Sequence, residues 1–488
     1  MRRTRALAGI RLRAQEHQQQ TLARRFNSTQ AGAPAQAIPT EDSWRMDRRP
    51  TPKTYGAILE EIYTVNDRMH VKQGLDNIER LNQAIGDPAG ALNCVHVTGT
   101  NGKGSVCWKI SEAFRFSGKK TGLFVSPHVS SFRERVRINQ QLITEEEVVK
   151  HMTYILERAA AENIPATFFE FATALGMHYF ASNNTDVVVL EVGLGGRLDS
   201  TNIIKSPLAT IVTNIGLEHT RILGNTVEEI AHEKGCIAKT GSPMLIGPHV
   251  PLEPLEKICA ERGAPLHVLT PPATTSGDYD VENVAMARAA LELMGQDIKS
   301  EAVVEALKQR PPCRFEIIPQ RQDSVYVLDA GHNAPALKVL FASLDARMQE
   351  LRQVTGAGPQ DRLHMQLVLA LSADKDLEGC GEAVAAASEH FDEIICTQAS
   401  TIRAQSPETI RSNITDALSD LSVKGATVSV AGSVEDALSM ADANSSQAHL
   451  PSVTVVCGSI FMMTEVRRHL QMDFPQDPLA HQATPAKN

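Results

Sequence analysis

The chain has 488 residues, enough for two or three domains, and its 42% hydrophobic content suffices for packed cores. No apolar run approaches the roughly 20 residues that span a membrane, and the net charge of −9 argues against a nucleic-acid-binding protein. The eight cysteines are irregularly spaced and form no CxxC pair, which indicates a reducing compartment and argues against a disulfide framework or a zinc site.

The first 40 residues differ in composition from the rest of the chain. Residues 1–26 contain seven arginines, and Glu16 is the only acidic residue among them. Ser28, Thr29 and a stretch rich in Ala, Gly and Pro follow. This composition is typical of a mitochondrial transit peptide. The alternative is a disordered basic tail on a cytoplasmic protein, so residues 1–40 are predicted to lie outside the folded domains.

From about residue 52, short β-branched runs alternate with helical stretches, which predicts an α/β fold with parallel, doubly wound sheets. We expect a P-loop ATPase-like domain over residues 52–312 and a smaller Rossmann-like α/β domain over residues 313–472. The Pro-rich stretch 473–488 is predicted to be a disordered tail. Predicted strands include Cys94–Val97, Gly122–Val125, Val187–Glu191, Thr210–Asn214, Met244–Ile246, Val325–Leu328, Glu393–Cys396 and Thr427–Val430.

The most informative segment is the loop Gly99–Ser105, which follows the strand Cys94–Val97 and precedes a helical stretch. Its glycines let backbone N–H groups close on phosphate oxygens, Lys103 supplies a positive charge, and the Ser105 hydroxyl can ligate Mg²⁺. The usual GxxxxGK[ST] pattern does not fit, because Gly104 separates Lys103 from Ser105. A short Gly/Lys/Ser loop alone is often a solvent-exposed turn. The strand before it and the helix after it favour phosphate binding.

Three further strands end in polar residues, and ligands of open α/β sheets bind at that edge. Ser126 follows the second strand, and Glu191 ends another strand and leads into a glycine-rich loop. A carboxylate there can hold Mg²⁺, although it could also be an acidic residue above an ordinary loop. A lone histidine is usually structural, but His219 follows a strand that should converge with Glu191 and Ser105. The residues around Lys234, taken by themselves, indicate a solvated charge on a helix.

The second domain contains one comparable motif, in which the apolar run Val325–Leu328 leads into Asp329-Ala330-Gly331-His332-Asn333. Asp329 could accept hydrogen bonds from a ribose, and His332 could contact a phosphate or a substrate. Alternatively, both could cap the next helix. The residues alone do not decide between these interpretations.

Together these motifs resemble the folylpolyglutamate synthase and dihydrofolate synthase family of the Mur ligase superfamily, over about residues 54–470. The resemblance rests on GTNGKGS at 99–105, SPH at 126–128, RERVRI at 133–138, EVGLGGRLDSTN at 191–202, HTRILGNT at 219–226, DAGHN at 329–333 and DKD at 374–376. It implies ATP-driven amide formation, in which a pteroate or folate carboxylate is phosphorylated and the amine of L-glutamate then displaces phosphate.

The resemblance also implies roles for individual residues. Lys103, Lys234 and His332 are implied to be catalytic, and Lys234 matches a lysine that the family carbamylates. A carbamate would offer Mg²⁺ an anionic oxygen where an ammonium would repel it. The implied ATP contacts are Thr100, Asn101, Gly102, Lys103, Gly104, Asn283, Arg314 and Asp329. The implied ligands of Mg²⁺, expected as two ions with K⁺ as a further cation, are Ser105, Ser126, Glu191 and His219. The implied pterin-side residues are Thr167, Phe168, Phe169, Glu170, Leu198, Asp199 and Ser200.

Within this resemblance, His332-Asn333, Asp374-Lys375-Asp376 and the loop Thr167–Glu170 favour a dihydrofolate synthase that acts on dihydropteroate. A folylpolyglutamate synthase that extends tetrahydrofolate, or a bifunctional enzyme, is the main alternative. A nucleotide-binding protein without ligase chemistry and a cell-wall Mur ligase are more remote. The implied partners are small molecules, with no nucleic acid or membrane, and the implied state is a monomer. The chain departs from the family pattern at Glu218, Gly235-Cys236, Pro312-Cys313 and Ala330-Gly331.

Overall fold

The computed structural model describes residues 53–68, 74–271, 277–321, 323–421 and 426–478. The predicted transit peptide or basic tail, residues 1–40, lies outside the described residues. The chain divides into two compact units. The first unit comprises the described parts of Met1–Pro127, Arg133–Pro271 and Glu282–Gln309, and the second those of His128–Phe132, Pro272–Val281 and Arg310–Asn488. Each unit is built around its own mostly parallel sheet, so the predicted α/β fold class is confirmed.

The described part of the first unit contains an eight-stranded sheet in the order β4-β3-β2-β5-β1-β6-β7-β8. Strand β1 lies between β5 and β6, and all five of its residues are buried, as expected for a strand covered on both faces. The β2–β3 and β3–β4 pairs are antiparallel, and the others are parallel. The strands are β1 (Cys94–Thr98), β2 (Thr121–Phe124), β3 (Val136–Ile138), β4 (Gln141–Leu142), β5 (Val187–Glu191), β6 (Ala209–Val212), β7 (Met244–Ile246) and β8 (Leu266–Val268).

Three helices of this unit begin at capping boxes. Thr144, Thr167 and Thr226 each accept a hydrogen bond from the third helical N–H, and a glutamate at that position bonds back to the threonine N–H. The helices are α1 (Tyr55–Arg68), α2 (Asp76–Ala84), α3 (Lys103–Phe116), α4 (Glu145–Ala161), α5 (Phe168–Ser182), α6 (Thr220–Leu223), α7 (Val227–Gly235), α8 (Leu252–Arg262), α9 (Asp280–Leu293, of which residues from Glu282 belong to this unit) and α10 (Glu301–Lys308).

Two apolar clusters form the core that supports the strand ends. Val97 on β1 packs in one cluster with Ile110 and Phe114 from α3. Ile246 on β7 packs in the other with Ile237 and with Leu255 from α8. Because these positions are almost fully buried, the loops after β1, β5 and β6 project from a rigid support.

The described part of the second unit contains a six-stranded sheet in the order β13-β12-β11-β14-β10-β9, in which only β9 runs antiparallel. Its strands are β9 (Glu316–Arg321), β10 (Ser324–Leu328), β11 (His364–Leu369), β12 (Glu393–Cys396), β13 (Thr427–Val430) and β14 (Ser452–Cys457). Its helices are α11 (Ala334–Ala346), α12 (Met348–Val354), α13 (Leu377–Ala386), α14 (Pro407–Leu421), α15 (Val434–Ala448) and α16 (Met463–His469).

Most predicted elements lie where the sequence placed them, but the boundaries of the two units do not follow residues 312 and 313. The short segment His128–Phe132 groups with the second unit, although about 140 residues separate it from the rest of that unit's sequence. The predicted disordered tail also needs correction over residues 473–478. Asp477 is buried and its carboxylate accepts hydrogen bonds from Ser131 and Phe132, so the ordered chain continues past Met472. Residues 479–488 lie outside the described residues.

Two further sequence predictions concern membrane-spanning segments and disulfide bonds. In the described ranges, no helix combines the length and hydropathy needed to cross a membrane. The eight cysteines all fall within those ranges, and each is buried without forming a disulfide.

Candidate active site

The loop Gly99–Ser105, called the phosphate loop from here on, has a backbone shape that only glycine accommodates at two positions. Gly99 has φ 151° and Gly102 has φ 81°, in the half of conformational space that side chains disfavour. A Cβ atom on Gly99 would overlap Thr213 Oγ1, and a Cβ atom on Gly102 would lie 2.5 Å from Asn283 Oδ1. The loop therefore packs directly against the end of β6 and against α9. This brings Asn283, an implied ATP contact, next to the phosphate loop.

The loop after β6 holds the phosphate loop in place through several hydrogen bonds. The Asn101 N–H donates to Asn214 Oδ1 at 2.8 Å, and the Thr100 N–H donates to the Asn214 carbonyl at 2.9 Å. Thr213 Oγ1 donates to the Asn101 carbonyl at 2.6 Å, and the Gly216 N–H donates to Thr100 Oγ1 at 3.0 Å. Sequence reasoning did not single out Thr213 and Asn214, although both stand at a strand end.

Two lysines converge on one carbonyl of the phosphate loop. Lys103 Nζ donates to the carbonyls of Gly99 and Thr100, both at 3.0 Å, and Lys234 Nζ donates to the Gly99 carbonyl at 2.8 Å. Lys234 is only 4% exposed. Burial, reinforced by the positive charge of Lys103, lowers the pKa of Lys234 from 10.5 to about 7, while Glu218 and Asp199 oppose this shift. The neutral, nucleophilic amine of Lys234 is therefore much more accessible near pH 7 than that of an ordinary lysine.

Lys234 is buried because the glycine-rich loop after β5 packs on its helix. A Cβ atom on Gly196 would lie 2.9 Å from the carbonyls of Glu233 and Lys234. The Arg197 N–H donates to the Glu233 carbonyl at 2.9 Å, and Arg197 Nε donates to Glu233 Oε1 at the same distance. Gly235, a departure from the family pattern, lies against Leu255, where a Cβ atom would be 2.5 Å from that side chain.

Three of the four implied metal ligands group around the first turn of α3. Glu191 ends β5 and is buried, and its Oε2 accepts the Ser126 N–H at 3.0 Å. A Cβ atom on Gly104 would lie 3.5 Å from Glu191 Oε2, so the carboxylate lies over the helix start where Ser105 is buried. His219 precedes α6 with φ 51°, and its Nε2 lies 3.9 Å from Glu218 Oε1.

The side chains that group around the start of α3 are of types that fit Mg²⁺. Glu191, Ser105 and Ser126 provide a carboxylate and two hydroxyls, which are the hard oxygen donors that Mg²⁺ prefers. Within the described residues no group of three or more His, Cys, Asp or Glu could hold an ion. Mg²⁺ is usually held by one or two carboxylates together with water and phosphate oxygens.

The implied pterin-side residues are all buried or half-buried, and those at the start of α5 make structural contacts. Thr167 and Glu170 form the capping box of α5, with the Thr167 N–H donating to Glu170 Oε2 at 2.7 Å. Burial raises the pKa of Glu170. The Phe169 ring occupies the space where a Cβ atom on Gly193 would be, two residues after Glu191. Phe168 stacks on Tyr63 with 4.9 Å between the ring centroids.

Asp199 shapes the loop that carries Leu198 and Ser200. Its carboxylate accepts hydrogen bonds from the Leu194 and Thr201 N–H groups, at 2.9 and 3.0 Å, and from the Thr201 hydroxyl. Burial raises the pKa of Asp199, while these hydrogen bonds lower it. Ser200 Oγ lies 2.7 Å from Thr173 Oγ1, and Leu198 is half-buried. The Asp199 carboxylate is thus fully engaged, and its contact with substrate stays a prediction.

A hydrogen-bond relay supports this loop from the centre of the sheet. His96, fully buried on β1, has its Nε2 2.8 Å from Thr201 Oγ1. Because the single hydroxyl proton of Thr201 goes to Asp199, His96 must donate through Nε2. Burial lowers the pKa of His96 to about 3, so the ring is neutral. Sequence reasoning treated His96 only as part of a strand.

In the second unit, Asp329 organises the loop that follows β10. Its carboxylate accepts the Phe315 N–H at 2.9 Å, the Tyr279 hydroxyl at 2.9 Å and the Gly331 N–H at 2.8 Å. Burial, and then the Asp329 charge, raise the pKa of Tyr279. His332 Nδ1 lies 2.9 Å from the Ala330 carbonyl. Asp329 thereby joins the segment that carries Arg314 to the segment that carries His332.

The structure shows which residue caps α11 and what backbone conformation Cys313 adopts. Asn333, rather than Asp329 or His332, caps α11, because its Oδ1 accepts the Ala336 N–H at 2.9 Å. Cys313, which stands where the family usually has glycine, adopts a left-handed φ of 56°, a conformation that costs a side chain about 1 kcal/mol. The left-handed backbone at position 313, next to the half-buried Arg314, therefore explains a preference for glycine there.

The fold and the phosphate loop define the class of protein. Residues 97–244, which carry the end of β1, the phosphate loop, Glu191, His219 and Lys234, match the Mur ligase middle domain. The chain is 32% identical over 362 residues to the dihydrofolate synthase/folylpolyglutamate synthase of Bacillus subtilis, an alignment covering 66% of this chain and 82% of that protein. The chain therefore belongs to the folylpolyglutamate synthase/dihydrofolate synthase family.

Other similar proteins carry related names. The chain is 33% identical over 439 residues, 82% of its length, to a probable bifunctional folylpolyglutamate synthase/dihydropteroate synthase of Haloferax volcanii. It is 40% identical over 189 residues, 37% of its length, to the mitochondrial folylpolyglutamate synthase of Bos taurus. These two alignments span 49% and 32% of the relatives' own lengths, so the chain covers less than half of either.

A solved structure shares the fold. The bifunctional folylpolyglutamate synthase/dihydrofolate synthase from Yersinia pestis, complexed with AMPPNP and Mn ion, has a TM-score of 0.71 and 27% sequence identity. The match covers 87% of this chain and all of that one.

Proposed function

We propose that this protein is an ATP-dependent ligase that joins L-glutamate to a pteroate or folate carboxylate. The observation that carries this proposal is the phosphate loop Gly99–Ser105, at which Lys103, Lys234 and the Glu191 carboxylate meet. This grouping provides positive charge and N–H groups for phosphate beside oxygen ligands for Mg²⁺. Family membership supplies the acceptor class, which the geometry alone would leave open.

In this proposal the residues Thr100–Gly104 cradle the phosphates of ATP, and Asn283, Arg314 and Asp329 contact the nucleotide. Ser105, Ser126, Glu191 and His219 hold Mg²⁺, which neutralises the charge that moves with the transferred phosphoryl group. Lys103 holds the phosphates in position. Because the lowered pKa of Lys234 makes its neutral amine accessible near pH 7, we propose that this amine adds to CO₂ and loses a proton, giving a carbamate that would provide a further oxygen ligand. K⁺ is proposed as an additional cation.

The reaction we propose has two steps. The acceptor carboxylate attacks the γ-phosphorus of ATP, giving an acyl phosphate and ADP. The amine of L-glutamate then attacks the acyl carbon, the amide bond forms, phosphate leaves and one proton is released. We propose that His332 contacts phosphate or substrate, and the bond between its Nδ1 and the Ala330 carbonyl, which orients the ring, supports this role.

We propose dihydropteroate as the acceptor, on the support of His332-Asn333, Asp374-Lys375-Asp376 and the loop Thr167–Glu170. Activity on tetrahydrofolate, alone or in addition, is the second candidate, and the names of the relatives in cattle and Bacillus subtilis favour it. The Arg-rich start of the chain and the mitochondrial relative support a mitochondrial location, with the cytoplasm as the alternative. We propose a monomer.

The test is release of ADP by the full-length protein with ATP, Mg²⁺ and L-glutamate, measured with dihydropteroate and with tetrahydrofolate in separate reactions. We expect release that requires both an acceptor and L-glutamate. Lys103→Ala should abolish it without changing the circular dichroism spectrum, whereas Lys205→Ala, at a position outside the site, should retain it. The absence of acceptor-dependent ADP release from well-folded protein would contradict the proposal.

A further inference from the structure

The Asp329 carboxylate in the second unit is held mainly through one of its two oxygens. Its Oδ2 accepts two hydrogen bonds, from the Tyr279 hydroxyl and from the Phe315 N–H, both at 2.9 Å. Its Oδ1 accepts one, from the Gly331 N–H at 2.8 Å. A carboxylate can accept about four hydrogen bonds, and the described residues supply three of them. Oδ1 can therefore accept a further donor, at the sheet edge after β10 where ligands of open α/β sheets bind.

The backbone that presents the Phe315 N–H to this carboxylate is strained. Cys313 and Phe315, on either side of Arg314, have φ values of 56° and 48°, in the left-handed region that bulky residues rarely occupy. Phe315 is nevertheless almost fully buried, and the Arg347 guanidinium lies 4.3 Å from the centroid of its ring. Strained residues of this kind cluster at ligand-binding sites, where the surrounding structure holds them in place. The turn around Arg314 therefore has the character of a binding loop.

Tyr279 reaches Asp329 because its own segment is attached to the second unit at two points. The Tyr279 N–H lies 3.2 Å from Ser343 Oγ on α11, to which it donates. The Arg310 guanidinium lies 5.8 Å from the centroid of the Tyr279 ring, and its Nη2 pairs with Asp278 Oδ2 at 2.6 Å. All five of these residues belong to the second unit. A phenol fixed in this way loses little further conformational entropy when it donates to Asp329.

The bond between Tyr279 and Asp329 has a defined direction. Burial, and then the charge of Asp329, raise the pKa of Tyr279, so its hydroxyl keeps its proton and donates. The positive charges of Arg314 and Arg310 oppose this shift. The three neighbours that bond to the carboxylate are thus all donors, and Asp329 acts toward them only as an acceptor.

This arrangement selects the kind of ligand group that Oδ1 can bind. An acceptor carboxylate repels phosphate and binds hydroxyl or amino donors. In a nucleotide such donors are the ribose hydroxyls and the amino group of adenine. Because Arg314, next to Phe315, attracts phosphate, the ribose hydroxyls fit better, since they lie nearer to the phosphates than the amino group does.

We propose that Tyr279 is a positioning residue for nucleotide recognition. Its hydroxyl holds Oδ2 of Asp329 and so turns Oδ1 toward a ribose hydroxyl of the nucleotide. Tyr279 acts through Asp329, which contacts ATP in the proposed function on which this role rests. The contacts that carry the role all lie within the second unit.

The test is binding of ADP, 2′-deoxy-ADP and 3′-deoxy-ADP, each with Mg²⁺, to the full-length protein by isothermal titration calorimetry. Tyr279→Phe removes the hydroxyl and keeps the ring. Tyr326→Phe is the matched control, because the Tyr326 hydroxyl on β10 also donates to a carboxylate, Asp442 Oδ1, at 2.7 Å. We expect the wild type and Tyr326→Phe to bind at least one deoxynucleotide about tenfold more weakly than ADP.

Tyr279→Phe should bind ADP up to about tenfold more weakly than the wild type, while its binding of that deoxynucleotide should change little. Discrimination between the two nucleotides should therefore fall. Ser343→Ala, which removes the acceptor of the Tyr279 N–H, should act in the same direction but more weakly. Circular dichroism of each variant checks that it is folded.

Two results would overturn the positioning role. Equal weakening of all three nucleotides in Tyr279→Phe would mean that the hydroxyl only supports the fold. Equal binding of the three nucleotides by the wild type would mean that Asp329 contacts no ribose hydroxyl. Neither acceptor nor L-glutamate is needed for these measurements. If the wild type released no ADP in the ligase assay, the proposed function would fail, and the binding comparison would still decide on Tyr279.

Discussion

Because Lys234 is buried at the phosphate loop, we predict that it changes how the free energy of unfolding depends on pH. Lys234→Met keeps the length of the side chain and removes its titration. In the folded protein the pKa of Lys234 is lowered to about 7, against 10.5 when the chain is unfolded. Between these pH values the unfolded protein binds one more proton than the folded protein. The free energy of unfolding of the wild type therefore rises with pH in this window, whereas below pH 7 the full cost of the buried charge remains.

The size of the effect follows from the two pKa values. The slope approaches about 1.4 kcal/mol per pH unit once folded Lys234 has lost its proton. Integrated from pH 7 to pH 9, the wild type gains about 2 kcal/mol relative to Lys234→Met. Lys239, whose pKa burial lowers to about 8, titrates in both proteins and cancels in the difference. The lost bond to the Gly99 carbonyl adds a constant that does not depend on pH.

The assay is urea unfolding at several pH values, followed by the fluorescence of Trp108 on α3, with Trp44 replaced by Phe in both proteins so that the signal reports on the first unit. Buffers free of CO₂ keep Lys234 an amine. If Lys234 is carbamylated as proposed, bicarbonate should stabilise the wild type further but not Lys234→Met, because the lowered pKa favours reaction of the Lys234 amine in the folded protein. Parallel pH curves for the two proteins would refute the reasoning that Lys234 is buried with a lowered pKa.

Three further predictions address the loops around Lys234. Gly102→Ala should raise the KM for ATP and lower stability by about 1 kcal/mol, because φ is 81° there and the new methyl group would displace Asn283; a KM equal to wild type would contradict this. Thr201→Val should cost about 1–3 kcal/mol in urea unfolding, since His96 and Asp199 both lose a partner, while Thr201→Ser should cost much less; equal losses would argue against the relay. Lys103→Ala should abolish acceptor-dependent ADP release at unchanged secondary structure.

The parts of the fold that the sequence predicted best are those in which an apolar run ends in a distinctive loop. The strands Val187–Glu191, Met244–Ile246, Glu393–Cys396 and Thr427–Val430 agree with the structure residue for residue. Such runs signal strands buried on both faces, as Val187–Glu191 and Met244–Ile246 are, whereas Thr427–Val430 is an edge strand with no fully buried residue. The edge strand β9 was missed, because it contains Pro319 and is half exposed, so it lacks an apolar run.

The parts of the site that the sequence did not predict depend on contacts between distant residues. Lys234 and the Gly99 carbonyl are 135 residues apart, and only the packing of Gly196 on α7 shows why the lysine is buried. Tyr279 and Asp329 are 50 residues apart, and nothing local around Tyr279 indicates a bond to that carboxylate. The family resemblance proposed a role for Lys234, but it proposed none for Tyr279.

The central claim is that the chain joins L-glutamate to dihydropteroate. The most direct test is the mass of the product that the full-length protein forms from dihydropteroate, ATP, Mg²⁺ and L-glutamate. We expect a product heavier by one glutamate residue, formed together with one ADP. An unchanged acceptor mass, with glutamate added only to tetrahydrofolate, would contradict the claim and make the protein a folylpolyglutamate synthase.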